Sequence, residues 1–164
     1  MERMSTKDKN LNKKIELVRE YAKEWAYENR KIKDWKQLYA FSKQLNREYI
    51  PLSNGADVVV TDCPLFLSYI YAEKYNVPAK KEILKIAFEF ENEYPGLHIF
   101  IDRSNNEYIN QGRFENKNEA LLIDNDILSF FNNQNIKLNQ VVYNDEISLL
   151  KAVYPEIRKN ANEA

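Results

Sequence analysis

The chain is short of glycine: there are three, Gly55, Gly96 and Gly112, and none is followed by lysine. A phosphate-binding loop of the Gly-x-x-x-x-Gly-Lys-Ser/Thr kind needs its glycines so that backbone N–H groups can wrap an anion, so the sequence contains no such loop. A single cysteine, Cys63, excludes an internal disulfide, and with His98 as the one histidine there is no Cys or His cluster for zinc. No run is long and apolar enough for a signal peptide or a membrane span. Charge of one sign is also lacking. Lys and Arg number 24 against 25 Asp and Glu, a formal net charge of −1, which gives no strong electrostatic argument for nucleic acid or an anionic membrane. Neither partner is expected, and the expected setting is the cytoplasm.

What is present fits one ordinary domain with a core. The chain has 164 residues, 44% hydrophobic and 30% charged, a globular rather than disordered composition. Residues 1–13 are polar and aperiodic, so they read as a tail, with the domain occupying 14–164. Residues 14–20 alternate as a strand, Ile15 and Leu17 against Glu16 and Val18, and run into a helix over 21–29. Asp34 is placed to cap a second helix, along which Trp35, Leu38, Phe41, Leu45 and Tyr49 recur at helical spacing until Pro51 stops it.

The clearest strand is 57–61, followed by an apolar helix over 65–75 that suits packing on a sheet. Ile83, Leu84, Ile86, Ala87 and Phe90 mark a further helix ending near Pro95 and Gly96. A buried strand over 97–102, a polar loop over 103–114, a helix through Ala120, Ile123, Ile127 and Phe130 or Phe131, a strand over 137–143 and a closing helix over 145–153 complete the chain. Strands alternating with helices predict an α/β fold with a mostly parallel sheet.

Two acids fall at the carboxyl ends of strands, the edge where open α/β sheets place ligands: Glu20 and Asp62. Asp62 before Cys63 and Pro64 suits either a metal-side carboxylate or a helix N-cap. Glu20 suits either a general base or a first-turn acid favoured by the helix dipole. Gln44 and Arg47, on the second helix, face either a ligand groove or solvent. Arg103 and Arg113 flank Gly112 in a loop that is either a lid or ordinary surface. His98, inside an apolar strand, reads as a satisfied core histidine, and Cys63 as a small buried thiol.

The stretches Ile15-Glu-Leu-Val-Arg-Glu20-Tyr-Ala-Lys-Glu-Trp25 and Val60-Thr-Asp62-Cys-Pro64-Leu-Phe-Leu-Ser68, then Arg103, Gly112-Arg113 and Glu119-Ala120, resemble the NadR-like P-loop kinases. Within that group the likeness is to small phage-encoded ATPases or nucleotide kinases, related to AAA-type ATPases, and it spans roughly residues 14–145. The resemblance implies a three-layer P-loop kinase-like sandwich whose first strand and phosphate loop are absent here. The missing strand would lie mid-sheet, between the strands ending at Asp62 and Asp102. Those two strands then pair directly, or another chain supplies the piece, or the open reading frame is truncated at an internal Met.

For chemistry the resemblance implies ATP-dependent phosphoryl transfer to a nucleoside or nucleotide, with ATP and Mg²⁺ both conditional on a supplied phosphate loop. Asp62 would hold Mg²⁺ through a water and Glu20 would act as base. Arg103 and Arg113 would reach the ATP phosphates, with Tyr108 supporting that lid, and Arg19, Gln44 and Arg47 would line the acceptor site. If the gene is of phage origin, the setting is host cytoplasm. The alternatives are a non-catalytic kinase-like binding protein, self-associating or acting through a protein partner, and an inert truncation product.

Overall fold

The computed structural model describes residues 14–102, 115–143, 145–147, 150–151 and 154–155. The polar tail 1–13 and the loop with Arg103, Tyr108, Gly112 and Arg113 lie outside the described residues. The chain is mixed α/β, with short parallel strands and a majority of helix. It divides into two compact units, residues 1–83 and 84–164.

Unit 1 begins with strand β1 (Ile15–Val18) and helix α1 (Ala22–Tyr27), followed by the long helix α2 (Trp35–Ser53), strand β2 (Val58–Thr61) and helix α3 (Leu65–Lys74). β1 and β2 form a parallel pair in which Ile15 stands against Val58, Leu17 against Val60 and Val18 against Thr61. Side chains alternate across a strand, so the pair has two faces. One carries Val18 and Thr61 and packs on α2. The other carries Ile15, Leu17, Val58 and Val60, all exposed, Leu17 at 78%.

α2 differs in two respects from the helix expected of its sequence. Asp34 has a φ of 53° and its side chain caps nothing, and Pro51 lies inside the helix, which continues to Ser53. The buried face is also rotated. Trp35 and Tyr49 are exposed, and the residues turned inward are Gln37, Ala40, Phe41, Gln44 and Glu48. An apolar period fixes a helix, but here the helix buries a stripe that is more than half polar. α3 packs on α2 and buries Leu65, Phe66, Ser68, Ile70 and Ala72. Phe41 and Phe66 are almost wholly enclosed, and such a side chain stabilises by about 1.5–3 kcal/mol.

The scarcity of glycine is met by asparagine. Helices commonly end with a residue in the left-handed region, where asparagine is the best substitute for glycine. Asn29, Asn76 and Asn135 have φ of 54°, 49° and 54°, each one position before an amide that closes the helix end: Arg30 N to Trp25 O at 2.8 Å, Val77 N to Ala72 O at 2.8 Å and Ile136 N to Phe131 O at 3.0 Å. Gly55, with φ of 79°, does the same for α2, followed by Ala56 N donating to Pro51 O at 2.9 Å.

The chain divides within helix α4 (Lys80–Glu93), and unit 2 continues with strand β3 (His98–Asp102), helix α5 (Lys117–Asn133) and strand β4 (Leu138–Val142). Residues 146, 147, 150, 151, 154 and 155 are helical, in keeping with the expected closing helix. β3 and β4 pair in parallel, His98 against Leu138 through Asp102 against Val142. β2 is thus paired with β1 and β3 with β4, in two separate sheets, so the direct ladder between the strands ending at Asp62 and Asp102 is not formed.

α5 opens on a capping box. Glu119 N donates to Asn116 Oδ1 at 3.0 Å and Asn116 N to Glu119 Oε2 at 2.8 Å. The core of this unit is Ala120, Ile123, Phe130 and Phe131 of α5 with Ala87 of α4. His98 is the buried histidine that its sequence position predicts: its ring meets Phe131 edge-on at 5.0 Å, and Nε2 lies 3.1 Å from Glu91 Oε1.

That carboxylate also accepts from Gly96 N at 2.9 Å. Burial by itself raises the Glu91 pKa, but the hydrogen bonds from His98 and Gly96 and the electrostatic attraction of His98 outweigh it and hold the carboxyl below its ordinary value. A depressed acid contributes stability that is present above its unfolded pKa and lost as pH falls through its folded pKa. Urea denaturation from about pH 5 downward should therefore show a steeper loss of stability for the native chain than for Glu91→Gln. Equal slopes would remove Glu91 from the acid response.

Candidate functional site

The site forms where β1 and β2 end. A strand that leaves its ladder carries backbone N–H groups with no partner in the sheet, and such groups need acceptors from elsewhere. Here two side chains supply them. Asp62, one residue beyond β2, accepts from Glu20 N through Oδ1 at 2.8 Å. Gln44, from the middle of α2, accepts from Tyr21 N through Oε1 at 2.9 Å.

Gln44 uses its amide fully. Its Nε2 donates to Glu48 Oε1 at 2.8 Å and to Thr61 Oγ1 at 3.3 Å. Thr61 Oγ1 lies 3.4 Å from Glu48 Oε1 and accepts from Cys63 N at 3.2 Å. One side chain therefore joins the exit of β1, the end of β2 and α2. At 2% exposure Gln44 is among the most enclosed residues of the chain. No buried side-chain N or O among the described residues lacks a partner.

Beside this network a small recess of about 20 Å³, room for roughly one water and partly open to solvent, is lined by Glu20, Gln37, Gln44, Cys63, Ser68 and Tyr71 among others. Gln37 Nε2 donates to Ser68 O at 3.2 Å and ties α2 to α3 across its floor. The Cys63 thiol is pushed well up, first by burial and then by the negative charges of Glu20, Glu48 and Asp62. It is a buried thiol, as its sequence context suggests, and not a thiolate.

The structure brings Glu20, Asp62 and Gln44 together at one edge. The capping alternatives for both acids are not realised: α3 has Pro64 at its N-cap position with no side-chain cap, and Glu20 precedes α1, whose first-turn acid is Glu24. Arg47 is engaged internally. Its Nη2 lies 2.6 Å from Glu24 Oε1, its Nη1 donates to Arg19 O at 3.3 Å, and its guanidinium sits 4.8 Å from the Tyr21 ring centroid. Arg19 is exposed and contributes its carbonyl to that clamp.

Sequence reasoning missed Gln37, Glu48 and Thr61. The signal was present in the spacing of Gln37, Gln44 and Glu48, seven and four residues apart with Ala40 and Phe41 between them, which puts all of them on one helical face.

Mg²⁺ is usually held by one or two carboxylates together with waters and substrate phosphates. Asp62 has one carboxylate oxygen engaged by Glu20 N. Among the described residues, no group of three His, Cys, Asp or Glu side chains could hold a metal.

Replacing Gln44 with leucine should cost about 1–3 kcal/mol in urea denaturation, because Tyr21 N and the Glu48 carboxylate lose their enclosed partner. A loss under about 0.5 kcal/mol, typical of surface substitutions, would deny Gln44 its central place. No helix among the described residues is long and apolar enough to cross a membrane. The chain matches no protein-family model, no curated protein and no solved structure.

Proposed function

We propose that this chain is the acceptor-side portion of a P-loop kinase-like domain, built to hold a nucleoside, nucleotide or similar small acceptor. The supporting observation is the convergence of Glu20, Asp62 and Gln44 at the carboxyl ends of two parallel strands, joined by the Glu20 N to Asp62 and Tyr21 N to Gln44 hydrogen bonds. Acids at that edge suit a general base and a carboxylate near a metal-bound phosphate.

Within unit 1, the parallel pairing of β1 with β2 supports the same proposal. Parallel sheets are ordinarily covered on both faces, and the exposed face of Ile15, Leu17, Val58 and Val60 is suited to a covering helix from another polypeptide segment, whose strand and phosphate loop would join at a sheet edge. Phosphoryl transfer from ATP would belong to that completed assembly, in which the loop supplies the phosphate cradle. Glu20 would orient the acceptor hydroxyl and take its proton, and Asp62 would hold a water toward the metal. The same exposed face favours a second role, a non-catalytic kinase-like protein that binds a partner through it.

Titration calorimetry of the whole chain with a panel of nucleosides and nucleoside monophosphates tests the proposal. At least one should bind, about tenfold more weakly to Glu20→Gln, and the chain alone should transfer no phosphate from ATP. No binding by any member, or turnover by the chain alone that Asp62→Ala abolishes, would contradict it.

A further inference from the structure

A second feature of unit 1 adjoins that site through Tyr21 and Arg47, while the residues that form its exposed surface lie outside it. Between residues 30 and 47 the chain carries six Lys and Arg against a single Asp, so a chain of net charge −1 holds one strongly basic segment. The segment covers the approach to α2 and most of its length.

Aromatic rings are interleaved with these cations. Tyr21 and Trp25, at the start and within α1, and Tyr39 of α2 form a triangle with ring centroids 6.0–6.3 Å apart. The Tyr21 phenol is held by Tyr39 and by Trp25 Nε1 at 3.4 Å. Each ring carries a cation: Arg30 at 3.9 Å from Trp25, Lys43 at 5.4 Å from Tyr39 and Arg47 at 4.8 Å from Tyr21. Such a cluster fixes Tyr39 in place with little further loss of freedom on binding. One helical turn before Tyr39, Trp35 stands 62% exposed, and Tyr39 itself is half exposed. Lys31, Lys33 and Lys36 surround Trp35 in sequence, all exposed, and no carboxylate among the described residues pairs with them.

We infer that the surface around Trp35, Tyr39, Lys33 and Lys36 binds single-stranded nucleic acid, a base stacking on Trp35 beside the fixed Tyr39 and phosphates meeting the lysines. Planar exposed rings beside unpaired cations are the two elements that a single strand needs, and neither depends on sequence. A duplex hides its base faces, and an acidic peptide has the charge without a ring to stack, so both use half of the surface.

Fluorescence anisotropy of the full chain with labelled twenty-nucleotide dT and U oligomers tests the inference, the two arms separating DNA from RNA. At about 50 mM salt at least one oligomer should bind, weakening steeply as salt is raised. Trp35→Ala should weaken binding about tenfold, and Lys33→Glu with Lys36→Glu should weaken it further and flatten the salt dependence. Lys81→Glu with Lys117→Glu, exposed lysines outside the segment, should leave it unchanged. Equal affinity for an abasic oligomer of the same length, equal affinity for duplex DNA, an unaltered Trp35→Ala, or no binding of either strand would overturn it.

Discussion

The exit of β1 depends on two amides finding acceptors. Beyond Val18 the chain must leave its ladder and enter α1, and the N–H groups of Glu20 and Tyr21 are then held by Asp62 and Gln44 at 2.8 and 2.9 Å. The acceptors come from two different elements, so one turn fixes β1, β2 and α2 relative to one another. A carboxylate oxygen and an amide oxygen, each receiving a backbone N–H, contribute about 0.5–3 kcal/mol apiece, more for the charged one. In a sheet of two short strands that is a large share of local stability. The same constraint puts Glu20 and Asp62 on one edge, so the geometry that would serve an acceptor is a consequence of how the strands are terminated.

Much of the fold was legible. Each strand and helix of the described residues lies close to where apolar period and turn residues put it, because β-branched runs such as Val58–Thr61 and apolar helices such as Leu65–Lys74 state their type locally. The rotation of α2 was not legible. Trp35, Leu38, Phe41, Leu45 and Tyr49 look like a core stripe, yet the helix turns Gln37, Gln44 and Glu48 inward, since those groups find partners in Ser68 O, Tyr21 N and Thr61. A buried polar group is recognisable only when its partner is known, and the partners are up to 31 residues away. β1 shows the converse. Ile15 and Leu17 are apolar by alternation but exposed, because one face of a two-stranded sheet has no covering layer in unit 1.

Of the candidate site, Glu20, Asp62 and Gln44 could be read from strand ends and helical spacing, while Arg47 could not be read as a clamp on Glu24 and Tyr21. Charge behaves in the same way. A net of −1 describes the whole chain and conceals the basic, aromatic approach to α2, since composition sums over residues that do not share a surface. The kinase-like reading rests on strand termini and the basic surface on the approach to α2 and its first turns, the two meeting at Tyr21 and Arg47.

Hydrogen exchange by NMR tests the central claim most directly. In the native chain the amides of Glu20 and Tyr21 should be protected although both follow the end of a strand, Asp62→Ala should release Glu20, and Gln44→Leu should release Tyr21. Unprotected amides at both positions in the native chain, or protection that survives both substitutions, would contradict it.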